Sequence, residues 1–190
     1  MIGLLREAQT ATVGVFRLIA FRPDWRGYFD VSEDGVARSF AGIVLAAPAF
    51  IFTVYAIGYF VSDNPNLVPA DTRMTAAEAA VTWARYWLVF PLAAAGLCWI
   101  TGLTNKFAAW LVVHNWTVFV LVHIQALIFA LYPAGLADPV SLGQMSLLYI
   151  GARALAFWRA AAGALELKAG YAALLAGIYV LVDWALRAVT

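Results

Sequence analysis

Five long apolar runs, separated by short polar breaks, occupy most of this chain from residue 39 onward. Each is long enough for a helix to cross the hydrocarbon core of a bilayer, which takes about 20 residues. The expected spans cover 39–62, 77–101, 107–132, 141–163 and 169–188. The breaks carry the chemistry of helix ends. Ser32, followed by Glu33 and Asp34, reads as a helix start with acids in its first turn. Thr75-Ala-Ala-Glu78 has the spacing of a capping box. The stretch from Asp63 to Asp71 holds two prolines and two asparagines and reads as a turn. Thr101 to Lys106 is so short a connection that spans two and three should be antiparallel neighbours. Pro133 closes the third run, and the chain turns again around Glu166 and Lys168. Pro48 and Pro91 fall inside runs, where they predict kinks or carbonyls left for neighbours to satisfy.

Residues 1–38 follow a different pattern. On a helix, Leu5, Ala8, Phe16 and Ile19 share one face and Arg6, Thr10 and Arg17 another, which predicts an amphipathic helix on the membrane surface or packed under the bundle. Arg22-Pro23-Asp24-Trp25 breaks that helix, and Tyr28 and Phe29 add interfacial aromatics. Arg6, Glu7, Gln9, Thr10 and Arg17 interrupt the apolar core that a cleavable signal peptide requires, so the mature chain is expected to begin near Met1. The reading is all-α: a polytopic membrane bundle of five transmembrane helices (39–190) behind a cytoplasmic amphipathic helix and linker (1–38).

Composition supports this reading. Hydrophobic residues make up 64% of the chain and charged residues 12%, with a mean hydropathy of +0.83. Soluble domains carry about 25% charged residues, so this surface is not built for water. A net charge of +1 argues against nucleic acid as a partner. The single Cys98 lies inside an apolar run, which rules out a disulfide within the chain.

Charge placement sets the expected orientation. Arg6, Arg17, Arg22, Arg26 and Arg38 precede the first span, and Lys106, Arg159 and Lys168 fall at the breaks on the same side. The opposite side holds Arg73, with Arg187 at the C-terminal end. By the positive-inside rule the N-terminus is cytoplasmic and the C-terminus periplasmic, in a bacterial inner membrane. A rival four-span arrangement would lay the helix from Thr75 to Phe90 on the surface because it contains Arg85. Arg6, Arg17, Arg22, Trp25, Arg26 and Arg38 are the candidate membrane-surface anchors, with anionic lipid headgroups as partners.

Within the runs, polar residues are few enough to name. Span three carries His114, Asn115, Thr117, His123 and Gln125. His114, Thr117 and Gln125 lie on one side, while His123 falls opposite His114 because nine residues make about two and a half turns. The two histidines therefore cannot ligate one metal or haem from this helix, and no cofactor or metal is expected. The row is open to two readings: a seam lining a substrate or proton path, or interhelical hydrogen bonds worth about 0.6 kcal/mol each. Arg85, Arg153 and Asp183 are the charges deepest in apolar sequence, each costing about 2.5–3.5 kcal/mol at a helix centre on insertion scales. Arg85 and Asp183 sit near the same side and are an expected ion pair; snorkelling is the simple account of Arg153. His114, Asn115, His123, Gln125, Arg85, Arg153 and Asp183 are thus the candidate intramembrane polar site.

Other features are less specific. Ala93-Ala94-Ala95-Gly96, Ala160-Ala161-Ala162-Gly163 and the pair Ala173 and Gly177 permit close helix approach. Trp83, Trp87, Trp99, Trp110, Trp158 and Trp184 fall near expected span ends and fit aromatic belts. Asn115-Trp-Thr117 has the form of a glycosylation sequon, without meaning inside a span. The chain contains no HxxxH, no CxxC, no phosphate-binding glycine loop and no G-x-S-x-G, so no catalytic residue is assigned.

The plan of a cytoplasmic lead-in followed by five spans, with Arg17-Leu-Ile-Ala-Phe-Arg-Pro-Asp-Trp25 as its basic, aromatic and proline-bearing segment, resembles that of the bacterial Yip family. The resemblance implies a multi-span inner-membrane protein and carries over no binding or catalytic residue. Three functions remain open on sequence. The first is a non-enzymatic accessory or interaction subunit that binds membrane proteins or lipids, alone or as a homo-oligomer. The second is a small oligomeric transporter or channel using span three and the intramembrane charges. The third is a lipid or quinone enzyme with His114 or His123 as acid and base.

Overall fold

The computed structural model describes the backbone of residues 2–189 and the side chains of residues 3–178 and 181. Every regular element described is helical. The α-helices are α1 (Ile2–Ile19), α2 (Glu33–Ser39), α3 (Gly42–Asp63), α4 (Ala76–Thr101), α5 (Phe107–Ala130), α6 (Pro139–Leu165) and α7 (Ala169–Val189). Four stretches are long and apolar enough to cross a membrane: Glu33–Asp63, Ala76–Thr101, Thr104–Ala130 and Pro139–Leu165. In α7 the described apolar part is Ala169–Ile178.

The helix ends are formed by the residues expected to form them. Ser32 caps α2 by accepting from the Gly35 N–H. Thr75 and Glu78 complete a reciprocal capping box on α4. Asp138 accepts from the Ser141 N–H at the start of α6, with Pro139 in the first turn, where no amide hydrogen is needed. Gly102 ends α4 in the left-handed region at φ 72°, a conformation costly for other residues.

α5 is the hub. It packs against α1, α2, α3, α4 and α6. Buried residues make up 67% of its apolar window, against 28% or less in the other three stretches. Its sequence explains the position, because a helix that is apolar all round has no face to give to solvent. His114, Asn115 and Thr117 are fully buried within it. The outer helices instead leave Val44, Ile51, Leu92, Ile100, Leu147 and Leu148 well exposed. A lipid-facing surface requires such residues, and water would not tolerate so many together.

The N-terminal segment is part of the bundle. α1 packs on α5 and α6 through Ala8, Ala11, Val15 and Leu18. This face is turned from the expected one: Ala8 and the partly buried Ile19 are shared, but Leu5 and Phe16 are about half exposed. The small residues allow the helix axis to approach α5 closely, and the bulky ones are left outside. The linker makes a short 3-10 helix, Pro23–Tyr28, which buries Trp25 against Gly163 of α6. A Cβ at Gly163 would lie 2.6 Å from the Trp25 ring, so only glycine fits there. Trp25 is therefore a packing residue and not a surface anchor. Trp87 and Trp110 likewise lie in the core, each 2% exposed, whereas Trp99 is exposed as a belt residue would be.

Ion pairs hold the same junction. Glu166 accepts from Lys106 at 2.5 Å and lies 3.2 Å from Arg26. Its backbone is left-handed, at φ 57°, an uncommon state for a residue with a Cβ. Arg26 also donates to the Gly163 carbonyl, and Arg159 donates to the Leu18 carbonyl. The hydrogen bond and charge of Lys106, then the charge of Arg26, hold the Glu166 carboxyl below the ordinary glutamate pKa of 4.5. A depressed native pKa means that the pairing stabilises fully above the ordinary value and is lost as pH falls through the native one. Amide protection factors at residues 22–28, measured against the intrinsic exchange rate at each pH, should therefore fall on acidification. In Glu166→Gln protection there should be modestly lower already at neutral pH, as suits half-exposed pairs, and largely insensitive to acid; an unchanged wild-type profile would remove the pairing from the account.

Candidate functional site

The polar residues of the spans divide into three groups. The first lies where α4, α5 and α6 meet. Arg153, fourteen residues past the start of α6 and twelve before its end, lies over the faces of Tyr86 and Phe157 at 5.6 and 5.4 Å from the ring centroids. A guanidinium over aromatic faces is held by the ring quadrupole as well as by packing. Phe157 stacks on His114 at 4.9 Å, and His114 stacks on Phe90 at 3.3 Å with the rings nearly parallel. Phe90 in turn meets Trp110 edge to face. The result is a continuous row, Tyr86–Arg153–Phe157–His114–Phe90, running through the middle of the bundle.

Beside Arg153 is a cleft lined by Tyr86, Val118, Leu121, Val122, Gln125, Tyr149, Arg153 and Phe157, with a free volume of about 10 Å³. That is the room one water requires. The Tyr149 hydroxyl lies 3.1 Å from the Leu121 carbonyl and 3.4 Å from Gln125 Oε1, so its single proton is shared between two protein acceptors. Arg153 and Gln125 thus share one cleft, whereas His114, three turns from Gln125 on α5, reaches Arg153 only through the Phe157 ring. Tyr86, Phe90, Tyr149 and Phe157 are the members that sequence reasoning missed. Aromatics are so abundant in this chain that only the three-dimensional contact singles them out.

The second group faces α2. Asn115 Nδ2 donates to Ser39 Oγ at 2.9 Å, and Ser39 donates to the Val36 carbonyl, with both side chains fully buried. Asn115 Oδ1 is buried without a hydrogen-bond partner. This is interhelical bonding that ties α2 to the hub. Asn115→Leu removes one modest bond and one unsatisfied oxygen together, so the net change should be under about 1 kcal/mol. Thermal unfolding in detergent measures it; a large loss would give Asn115 a role beyond this contact.

The third group is His123 alone. Its Nδ1 lies 2.8 Å from the Phe119 carbonyl one turn back. A carbonyl only accepts, so Nδ1 carries the proton. His123 does not join the Arg153 row. Arg85 is partly buried on α4; the side chain of Asp183, its expected partner, lies outside the described residues. Among the described residues no group of three or more His, Cys, Asp or Glu is placed to hold a metal ion.

Of the candidate surface residues, Arg17 pairs with Asp24, Arg26 with Glu166, and Arg38 with Glu7 at 2.7 Å and with Asp30. Arg6 and Arg22 are exposed. Arg22 and Arg17 edge an open cleft with Val13, Phe16 and Pro23, where a cationic rim meets an apolar wall. No family model, curated protein or solved structure matches this chain.

Proposed function

We propose that this chain is a five-span protein of the bacterial inner membrane, with a cytoplasmic N-terminus and α7 as its last span. In this reading it is a non-enzymatic accessory subunit that acts by binding other membrane proteins or lipids. The observation that carries the reading is the packing of the central polar row. Gln125 and Arg153 share one cleft, with His114 linked to it only through Phe157, and the space there holds about one water. A substrate path or reaction chamber needs more room than that. The resemblance to the Yip family agrees with the plan of lead-in and spans and contributes no site residue.

The interaction surfaces in this reading are the outer faces of the spans and the N-terminal cap. Between α3 and α4 an apolar groove lined by Phe50, Ile51, Val54, Ala79 and Trp83 offers about 380 Å³. Such a groove suits a lipid chain or a partner's helix side chains. The exposed Arg6 and Arg22, with Phe16 and Phe21, suit anionic headgroups.

Purification from native membrane in a mild detergent is the test. The expected result is recovery of the chain with one membrane protein at fixed stoichiometry, retained through size exclusion. Recovery of a lone chain that catalyses solute flux in vesicles, with the flux lost in Arg153→Gln, would overturn this reading in favour of a transporter or channel. A mid-span cation beside a cleft is the observation on that side.

A further inference from the structure

We infer that the cleft beside Arg153 is a binding site for one small inorganic anion of halide size, resident in the bundle and bridging α4, α5 and α6. The argument begins with depth. Arg153 is near the middle of a 27-residue helix, about 18–21 Å from either end at 1.5 Å per residue. The guanidinium cannot reach headgroups from there by stretching along the helix. At such a depth a bare cation is costly and calls for a partner of opposite charge.

The protein supplies none among the described residues. Arg153 touches Tyr86 and Phe157 through their ring faces, and no described carboxylate or carbonyl accepts from it. Aromatic faces stabilise the charge but leave the five N–H donors without acceptors among the described residues. The other polar groups of the cleft do not correct this. The Tyr149 proton is directed at Leu121 and Gln125, and Gln125 spends its oxygen on Tyr149, which leaves its amide N–H groups as donors. The cleft therefore contains a positive charge and an excess of donors, apolar walls from Val118, Leu121 and Val122, and room for a single small species. A water fills the volume but leaves the charge uncompensated. A monovalent anion satisfies both volume and charge. A phosphate or carboxylate headgroup is too large for this space.

This inference is independent of the accessory-subunit reading, since a resident anion is compatible with any partner. The test is thermal unfolding of the purified full chain in detergent, followed by tryptophan fluorescence at constant ionic strength. Sodium gluconate, too large for the cleft, is replaced stepwise by chloride or bromide. The expected result is a saturable rise in Tm with either halide. Gln125→Leu should shift half-saturation about tenfold upward, the effect of losing one hydrogen bond to a charged group. Arg153→Gln should abolish the dependence, while Arg153→Lys, which keeps the charge, should retain it in weakened form. A crystal grown in bromide should show an anomalous peak within hydrogen-bonding distance of the guanidinium. A Tm equal in gluconate and chloride would mean that water alone fills the cleft and would overturn the proposal. A halide effect that persists in Arg153→Gln would overturn it too, by placing the ion elsewhere.

Discussion

Trp25→Ala is expected to cost about 3–5 kcal/mol and to release the N-terminal segment from the bundle. Trp25 is 6% exposed, meets Phe29 edge to face and fills the hollow left by Gly163. A methyl group in its place leaves a cavity at the junction of the linker with α6. The surrounding ion pairs do not compensate. Arg26, Lys106 and Glu166 are each about one-third to one-half exposed, and exposed pairs hold little on their own. Limited trypsin digestion reads the effect directly, because the cleavable Arg26–Gly27 bond directly follows Trp25. Cleavage there should be many times faster in the variant, with the spans still protected by the micelle. Gly163→Ala should produce the same pattern from the other side of the contact, since its Cβ would collide with the Trp25 ring. Equal digestion rates in the three proteins would show that the linker is held by something else.

The same junction shows how far the sequence could be read. The all-helical plan and several helix ends were legible because they depend on local chemistry: the Thr75–Glu78 box, the Asp138 cap and Gly102 each act within one turn. The location of the hub was hidden. Span three stood out for its polar residues, which left a lined path and interhelical hydrogen bonding both open. Those residues are polar because α5 is surrounded, so that Asn115 and Thr117 find acceptors on α2 and on their own helix. Hydrophobic periodicity cannot reveal this, since a helix buried on every side has no periodicity. The arginines of the first 38 residues were misleading in another way. A charge excess predicts sidedness, but it does not say that Arg17, Arg26 and Arg38 have acids nearby, one of them, Glu166, distant in sequence. Arg6 and Arg22 are left for headgroups. The central row was half legible: the charges and amides were conspicuous, but the rings that hold them were not.

Phe90→Ala should be the most damaging change in the middle of the bundle, again at about 3–5 kcal/mol. Phe90 is 1% exposed, lies flat on His114 and meets Trp110 edge to face. Its removal takes the end support from the row that continues through Phe157 to Arg153. Loss of stability and loss of the row's geometry should therefore appear together, as a lower Tm and a weakened halide response. Arg153→Gln separates the two. It removes the charge but leaves every ring in place, so in gluconate its Tm should stay close to that of the wild type, and only the response to chloride should vanish. Glutamine at 153 also relieves the chain of a mid-span cation that has no described carboxylate, which offsets the loss of two ring contacts. Unfolding curves for the two variants in the two salts make a four-way comparison. If Arg153→Gln in gluconate falls as far as Phe90→Ala, the guanidinium is structural cement for the row, and the cleft is a by-product of its packing.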